Sequence, residues 1–190
     1  MGRALEGSQE AYHDIVVRYQ RPVFTVVLRM VRDPQLAEDL TQESFIKAFR
    51  ALATFDPSRK LASWLFKIAH NTTLDHLRRR SLDTVPLEPG EDEAPDRRSQ
   101  WADPHAESPE HRASMGDLAE AIEAALDQLR PEYREIVVLR YQEGLAYQEI
   151  AEILDLPMGT VKTHIHRSRR QLAEILSEEG WSPGALAAEA

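Results

Sequence analysis

Apolar residues recur at spacings of three and four along most of the chain, which is the rhythm of helices with one buried side. The first helix is predicted from about Ser8 to Val31, stopping at Asp33-Pro34. A second starts after Pro34 and reaches about Ala53, carrying Leu36, Leu40, Phe45, Ala48, Phe49 and Leu52. Asp56-Pro57-Ser58 reads as a turn. A third helix begins near Lys60, with Leu61, Trp64, Leu65, Ile68 and Ala69 on its apolar face, and ends in Arg78-Arg79-Arg80. Cations suit a helix C-terminus because the last carbonyls carry partial negative charge.

The rhythm lapses between Val85 and Arg112. Pro86, Pro89, Pro95, Pro104 and Pro109 alternate there with acids, and Trp101 is an isolated large apolar group. A stretch that buries so little cannot offset its ordering entropy, so it reads as an extended linker. Helical spacing then resumes. Asp117 is the expected cap of a helix burying Leu118, Ile122, Leu126 and Leu129, and Pro131 opens the next helix, which Gly144 ends. A short helix from about Ala146 to Leu154, a turn at Asp155–Gly159 and a last helix to about Leu176 complete the pattern. The predicted fold is all-α: a helical unit over 1–80, an acidic Pro-rich linker over 81–117, a second helical unit over 118–176 and a tail over 177–190.

Composition narrows the chemistry. The 190 residues include no cysteine, which excludes disulfides, thiol catalysis and Cys-ligated metals. No apolar stretch approaches the roughly 20 residues a membrane span needs. The N-terminal residues show no secretion signal, so the expected location is the cytoplasm. Net charge is −9, a value that argues against nucleic acid until its distribution is seen. Residues 1–80 carry +4, residues 81–117 carry −7, residues 118–155 carry −6 and residues 156–190 carry 0. From Leu156 to Ala173 there are four cations and no acid.

Those cations fall on a helix with a clear inside and outside. At about 100° per residue, Val161, Ile165, Ser168, Leu172 and Ile175 share one face. Thr163, His166, Arg167 and Arg170 share the opposite face, flanked by Thr160, Lys162 and Arg169. A short helix, a tight turn and a basic helix form a helix-turn-helix, and such a face suits the major groove, where Arg reads guanine and a Thr methyl touches thymine. His164 and His166 point about 200° apart on a helix, so they form no metal pair and read as polar groups facing DNA or solvent.

The motifs now assemble into a resemblance. Leu129–Arg140, Gly144–Ala151 and Pro157–Thr163 resemble region 4 of bacterial sigma factors. Ala37–Arg50 is similar to region 2.2, and Ser63–Asn71 to regions 2.3 and 2.4. With only these two regions and a linker, the layout resembles the extracytoplasmic-function (ECF) branch of the sigma-70 family. The resemblance implies a factor, not an enzyme, that needs no cofactor and directs core RNA polymerase to promoters. It implies that Asp39, Gln42, Glu43 and Ile46 contact the β′ clamp helices, while region 4 meets the β flap. It implies that Arg59, Lys60, Lys67 and Asn71 lie along the single-stranded −10 element, with Asn71 by a flipped base. Trp64 is assigned to the core. Thr160, Lys162, Thr163, His166, Arg167 and Arg170 are implied readers of the duplex −35 element. An anti-sigma factor is the further implied partner.

Two other functions fit parts of the chain. A regulator of another class would use the helix-turn-helix alone and leave the region 2 motifs unexplained. A sigma mimic that sequesters an anti-sigma factor would have no need of the basic helix face. The linker has two readings, a solvated spacer or a segment that threads the polymerase channel later occupied by RNA.

Overall fold

The computed structural model describes residues 8–83 and 109–181. Among them are seven α-helices and no strand: α1 (Gln9–Val31), α2 (Pro34–Arg50), α3 (Leu61–Asp83), α4 (Pro109–Gln128), α5 (Pro131–Val137), α6 (Tyr147–Leu154) and α7 (Met158–Glu178). A single 3₁₀ turn, Leu52–Thr54, follows α2, and a π-helical segment, Val138–Gln142, extends α5. The all-α, two-unit reading therefore holds.

Local chemistry explains the junctions. Ser8 caps α1 by accepting the Ala11 N–H at 3.4 Å. Arg32 ends α1 in the left-handed region (φ 58°), and Asp33 then caps α2 by accepting from Gln35 and Leu36 at 3.0 and 3.1 Å, with Pro34 in the first turn. Gly144 (φ 65°) closes the π segment, where Leu145 donates its N–H to the Leu139 carbonyl at 3.0 Å. Nothing lies within 4 Å of a Cβ built on Gly144, so its φ, not its space, calls for glycine.

The first unit packs α1, α2 and α3 against one another around Val23, Val26, Val27, Ala37, Leu40, Phe66 and Ala69, all nearly or fully buried. Each such large aliphatic side chain contributes about 2 kcal/mol by leaving water. Trp64 packs edge-on against Phe55, with centroids 5.1 Å apart, and belongs to this core as expected. The second unit gathers α4 to α7 around Ile136, Val138, Leu139, Ile150 and Val161.

Three details depart from the sequence pattern. Helix α4 starts at Pro109, so Asp117 lies inside it and does not cap it. Proline at a first helical turn forfeits no bond, because the N–H it lacks would have been unpaired there. Helix α3 likewise runs on to Asp83, which leaves residues 84–108 of the linker outside the described residues. His164 is half-buried, its ring edge-on to Tyr133 at 5.0 Å. One position from the buried Ile165, it turns toward the core and away from DNA or solvent.

The two units also pack on each other, through α3 against α6 and α1 against α5. Arg134 sits at the second contact with no exposed side-chain surface. Its guanidinium donates to the carbonyls of Leu126 (2.8 Å), Asp127 (2.7 Å) and Leu129 (2.9 Å) at the end of α4, and to that of Arg29 on α1 (3.1 Å). The Leu126 carbonyl also accepts the Leu129 N–H at 3.1 Å and the Asp127 carbonyl also accepts from Arg32, so the buried cation finds four acceptors at the place where the helix runs out of its own donors.

Candidate nucleic-acid interface

Helix α7 has the inside and outside that its sequence demands. Val161, Ile165 and Ser168 are buried, and Ser168 satisfies its hydroxyl by donating to the carbonyls of His164 and Ile165. Lys162, Thr163, His166, Arg167 and Arg170 are exposed, and Thr160 is half-buried beside them. Thr163 donates its hydroxyl to the Gly159 carbonyl at 2.9 Å, which leaves its methyl free to face a groove. Arg170 pairs with Glu174 one turn on at 3.3 Å, an exposed pair that costs little to break. His166, Arg169 and Arg170 line an open surface depression. Arg169, expected to flank the face, is exposed beside it.

Helix α6 precedes this face and fixes its angle. Ile150 and Ile153 pack inward, and Glu149 reaches back to accept the Ala146 N–H at 2.9 Å. Asp155 ends α6 in the left-handed region, φ 53°. Acceptance of that conformation by a short polar side chain gives the tight turn into α7.

On the first unit, Asp39, Gln42, Glu43 and Ile46 all lie exposed on one side of α2, opposite the buried Ala37, Leu40, Phe45 and Ala48. Glu43 pairs with Lys47 at 2.8 Å within the helix. Ile46 is 51% exposed, a large apolar group left uncovered among polar ones.

The four residues assigned to the −10 strand have divided fates. Asn71 is exposed on α3. Arg59, Lys60 and Lys67 instead face the second unit. Arg59 pairs with Glu152 at 3.4 Å, and Lys60 with Glu149 at 3.1 Å. Lys67 donates to the Ile153 carbonyl at 2.9 Å and pairs with Asp155 at 2.6 Å. Ser63, which sequence reasoning passed over, donates to Glu149 at 2.8 Å. Nearby, His70 and Glu135 hold each other at 2.7 Å, largely buried. Burial acts to raise the Glu149 carboxyl, but bonds from the Ala146 N–H, Ser63 and Lys60 outweigh it and hold the group below its ordinary value. The Asp155 carboxyl is also lowered, first by its hydrogen bond from Lys67 and then by that cation's charge.

The family described as Sigma-70 region 2 matches residues 15–82, and the one described as Sigma-70, region 4 matches residues 119–172. The ECF RNA polymerase sigma factor SigW of Bacillus subtilis is 36% identical over 174 residues, covering 91% of this chain and 92% of that protein. The chain belongs to the ECF sigma factors. The RNA polymerase sigma-H factor of Pseudomonas aeruginosa is 32% identical over 92% of this chain and 90% of its own length. The ECF RNA polymerase sigma-E factor of Escherichia coli K12 is 34% identical over 90% of this chain and 88% of its own. Among solved structures, CnrH in complex with the cytosolic domain of CnrY superposes with a TM-score of 0.63 at 25% identity, covering 93% of this chain and 94% of that one. The sigma factor RpoE of Bartonella quintana, bound to the anti-sigma factor NepR, superposes at 0.65 with 21% identity, covering 88% and 98%, and shares the fold. Sigma factors bind core RNA polymerase and promoter DNA, and this chain's function is promoter-specific transcription initiation. Among the described residues no helix is long and apolar enough to cross a membrane.

Proposed function

We propose that the chain works as an alternative sigma factor in the cytoplasm through three separate faces. Asp39, Gln42, Glu43 and Ile46 dock on the β′ clamp helices of core polymerase, and the second unit meets the β flap. Thr160, Lys162, Thr163, His166, Arg167 and Arg170 read the −35 duplex from the exposed side of α7. Arg59, Lys60, Lys67 and Asn71 line the path of the separated −10 strand. An anti-sigma factor is the expected inhibitory partner, in keeping with the complex in which the Bartonella relative was solved. The working division is region 2 over 1–80, linker over 81–117, region 4 over 118–176 and tail over 177–190.

The observation that carries this reading is the exposed face of α2. A simple helix-turn-helix regulator has no use for a second helical unit presenting Ile46 and three polar side chains to solvent. Gel filtration with bacterial core RNA polymerase tests it. Wild type should comigrate with the core enzyme, and a D39A/Q42A/E43A variant should do so measurably less. A folded wild-type chain that elutes apart from core polymerase would overturn the proposal.

A further inference from the structure

One edge of α3 is a continuous polar row. Lys60 in the turn entering α3, and Ser63, Lys67 and His70 on the helix, are spaced three and four apart and so share that edge. The buried Phe66, Ala69 and Thr73 fix the rotation of α3 and hence where the row points. Every member meets an oxygen of the second unit at the seam between the units. Lys60 and Ser63 meet Glu149, Lys67 meets Asp155 and the Ile153 carbonyl, and His70 meets Glu135. Lys60 and Lys67 belong to the −10 assignment. His70 does not, although it stands one turn beyond Lys67 and directly before Asn71.

We propose that His70 is a further contact to the −10 strand: its ring N–H holds the backbone phosphate of the nucleotide whose base Asn71 receives. This rests on assigning Lys60, Lys67 and Asn71 to that strand. The His70 Nδ1 lies 2.7 Å from a Glu135 carboxylate oxygen, so the ring already takes an anionic oxygen at hydrogen-bond distance. A phosphate brings the same charge and the same kind of acceptor. Lys67 stands only about 4.5 Å back along the helix axis, so a strand laid on this edge passes both side chains. Extruding a base costs stacking and pairing energy, and contacts to phosphate are what fix the register of a strand while contacts to the base read it. Asn71 supplies the second kind of contact and His70 the first.

A histidine that serves only to latch the two units would make the same pair with Glu135. The two roles part once Glu135 is removed. With its partner gone, a latch has nothing left to hold, and replacing His70 then changes nothing on DNA. A phosphate contact is still lost. Removing Glu135 by itself takes a carboxylate away from the path of a phosphate, so it should not weaken DNA binding.

The test uses the full chain and a fluorescein-labelled single-stranded 15-mer of random sequence, which suits a phosphate contact because phosphates carry no sequence information. Anisotropy titrations compare variants that keep the far-ultraviolet circular dichroism of wild type. E135A should bind at least as tightly as wild type. In the E135A background, H70L, which keeps bulk without a donor, should weaken binding about tenfold, the scale of a hydrogen bond to a charged group. H70Q, whose amide keeps an N–H, should recover most of that loss. Fluorophores on Gln20→Cys and Ser177→Cys, both exposed in a protein that has no cysteine of its own, report the distance between the units by energy transfer. Transfer should be equal in E135A and E135A/H70L. Equal DNA binding by those two chains overturns the proposal, and so does a loss that appears only together with a rise in transfer. K67Q and N71A in the same background separate the two levels of the claim. If they weaken binding and H70L does not, His70 alone is struck from the strand; if none of the three weakens it, the −10 assignment falls as well.

Discussion

Arg134 does at one position what several apolar residues do elsewhere. It is wholly buried, yet four carbonyls surround its guanidinium, three from the end of α4 and one from α1. Truncation would strip one donor from each of those carbonyls and leave a cavity between α4, α5 and α1. Arg134→Ala should therefore lower the unfolding free energy by about 3 kcal/mol, read from urea denaturation followed at 222 nm by circular dichroism. A loss below about 1 kcal/mol would mean that water replaces the side chain there. Asn71 makes the opposite case: exposed, outside the seam, and assigned only to a base. Asn71→Ala should weaken promoter opening, measured by permanganate reactivity of unpaired thymines, with no change in energy transfer between the units.

At the scale of single helices, periodicity carried most of the account. Every helix was legible in its apolar spacing and Pro or Gly punctuation, and the two sides of α7 could be assigned from it. What spacing misjudged was the start of α4 at Pro109. Residues 109–116 carry little apolar spacing to announce the helix, and Pro109 suits its first turn. It also could not turn His164 inward, because one ring's choice between water and Tyr133 depends on a helix remote in sequence. For α7, each phosphate-neutralising cation adds about 0.9 to the slope of log affinity against log salt. Arg167→Ala and Arg170→Ala should each lower that slope for duplex −35 DNA by about 0.9, in a fluorescence anisotropy titration. A slope unaltered in both variants would remove these residues from the phosphate contact.

Across the whole molecule, the charge blocks of the sequence acquire a use. The +4 of residues 1–80 and the −6 of residues 118–155 meet at the seam between the units. The blocks were visible in the sequence, but their juxtaposition was not. A row of acids three apart looks the same whether water or Lys67 faces it. The seam also has a pH dependence of definite sign. Lys67 across the seam holds the Asp155 carboxyl below its ordinary 3.8, and Glu149, lowered from 4.5 first by the Ala146 N–H of its own cap, is lowered further by Ser63 and Lys60, so contact between the units favours the deprotonated forms. The groups facing them are Lys60 and Ser63 at Glu149, and Lys67 with His70 at Asp155, while Arg59 faces Glu152 and Glu135 holds His70. Their contribution to closure is complete above about pH 5 and is lost as pH falls through the depressed values. Energy transfer between the labelled units should decline from pH 6 toward pH 3.5 before far-ultraviolet circular dichroism changes. A chain that stays closed until it unfolds would contradict this reading.

This chain gives core polymerase a promoter choice. The most direct measurement is transcription by core enzyme, with and without the chain, on a library of randomised upstream DNA whose transcript starts are sequenced. New starts should appear with the chain, all preceded by one shared −35 and −10 pair, fewer with Lys60→Ala and Asn71→Ala, and displaced in −35 preference with Arg167→Ala. Starts identical to those of core enzyme alone would contradict it.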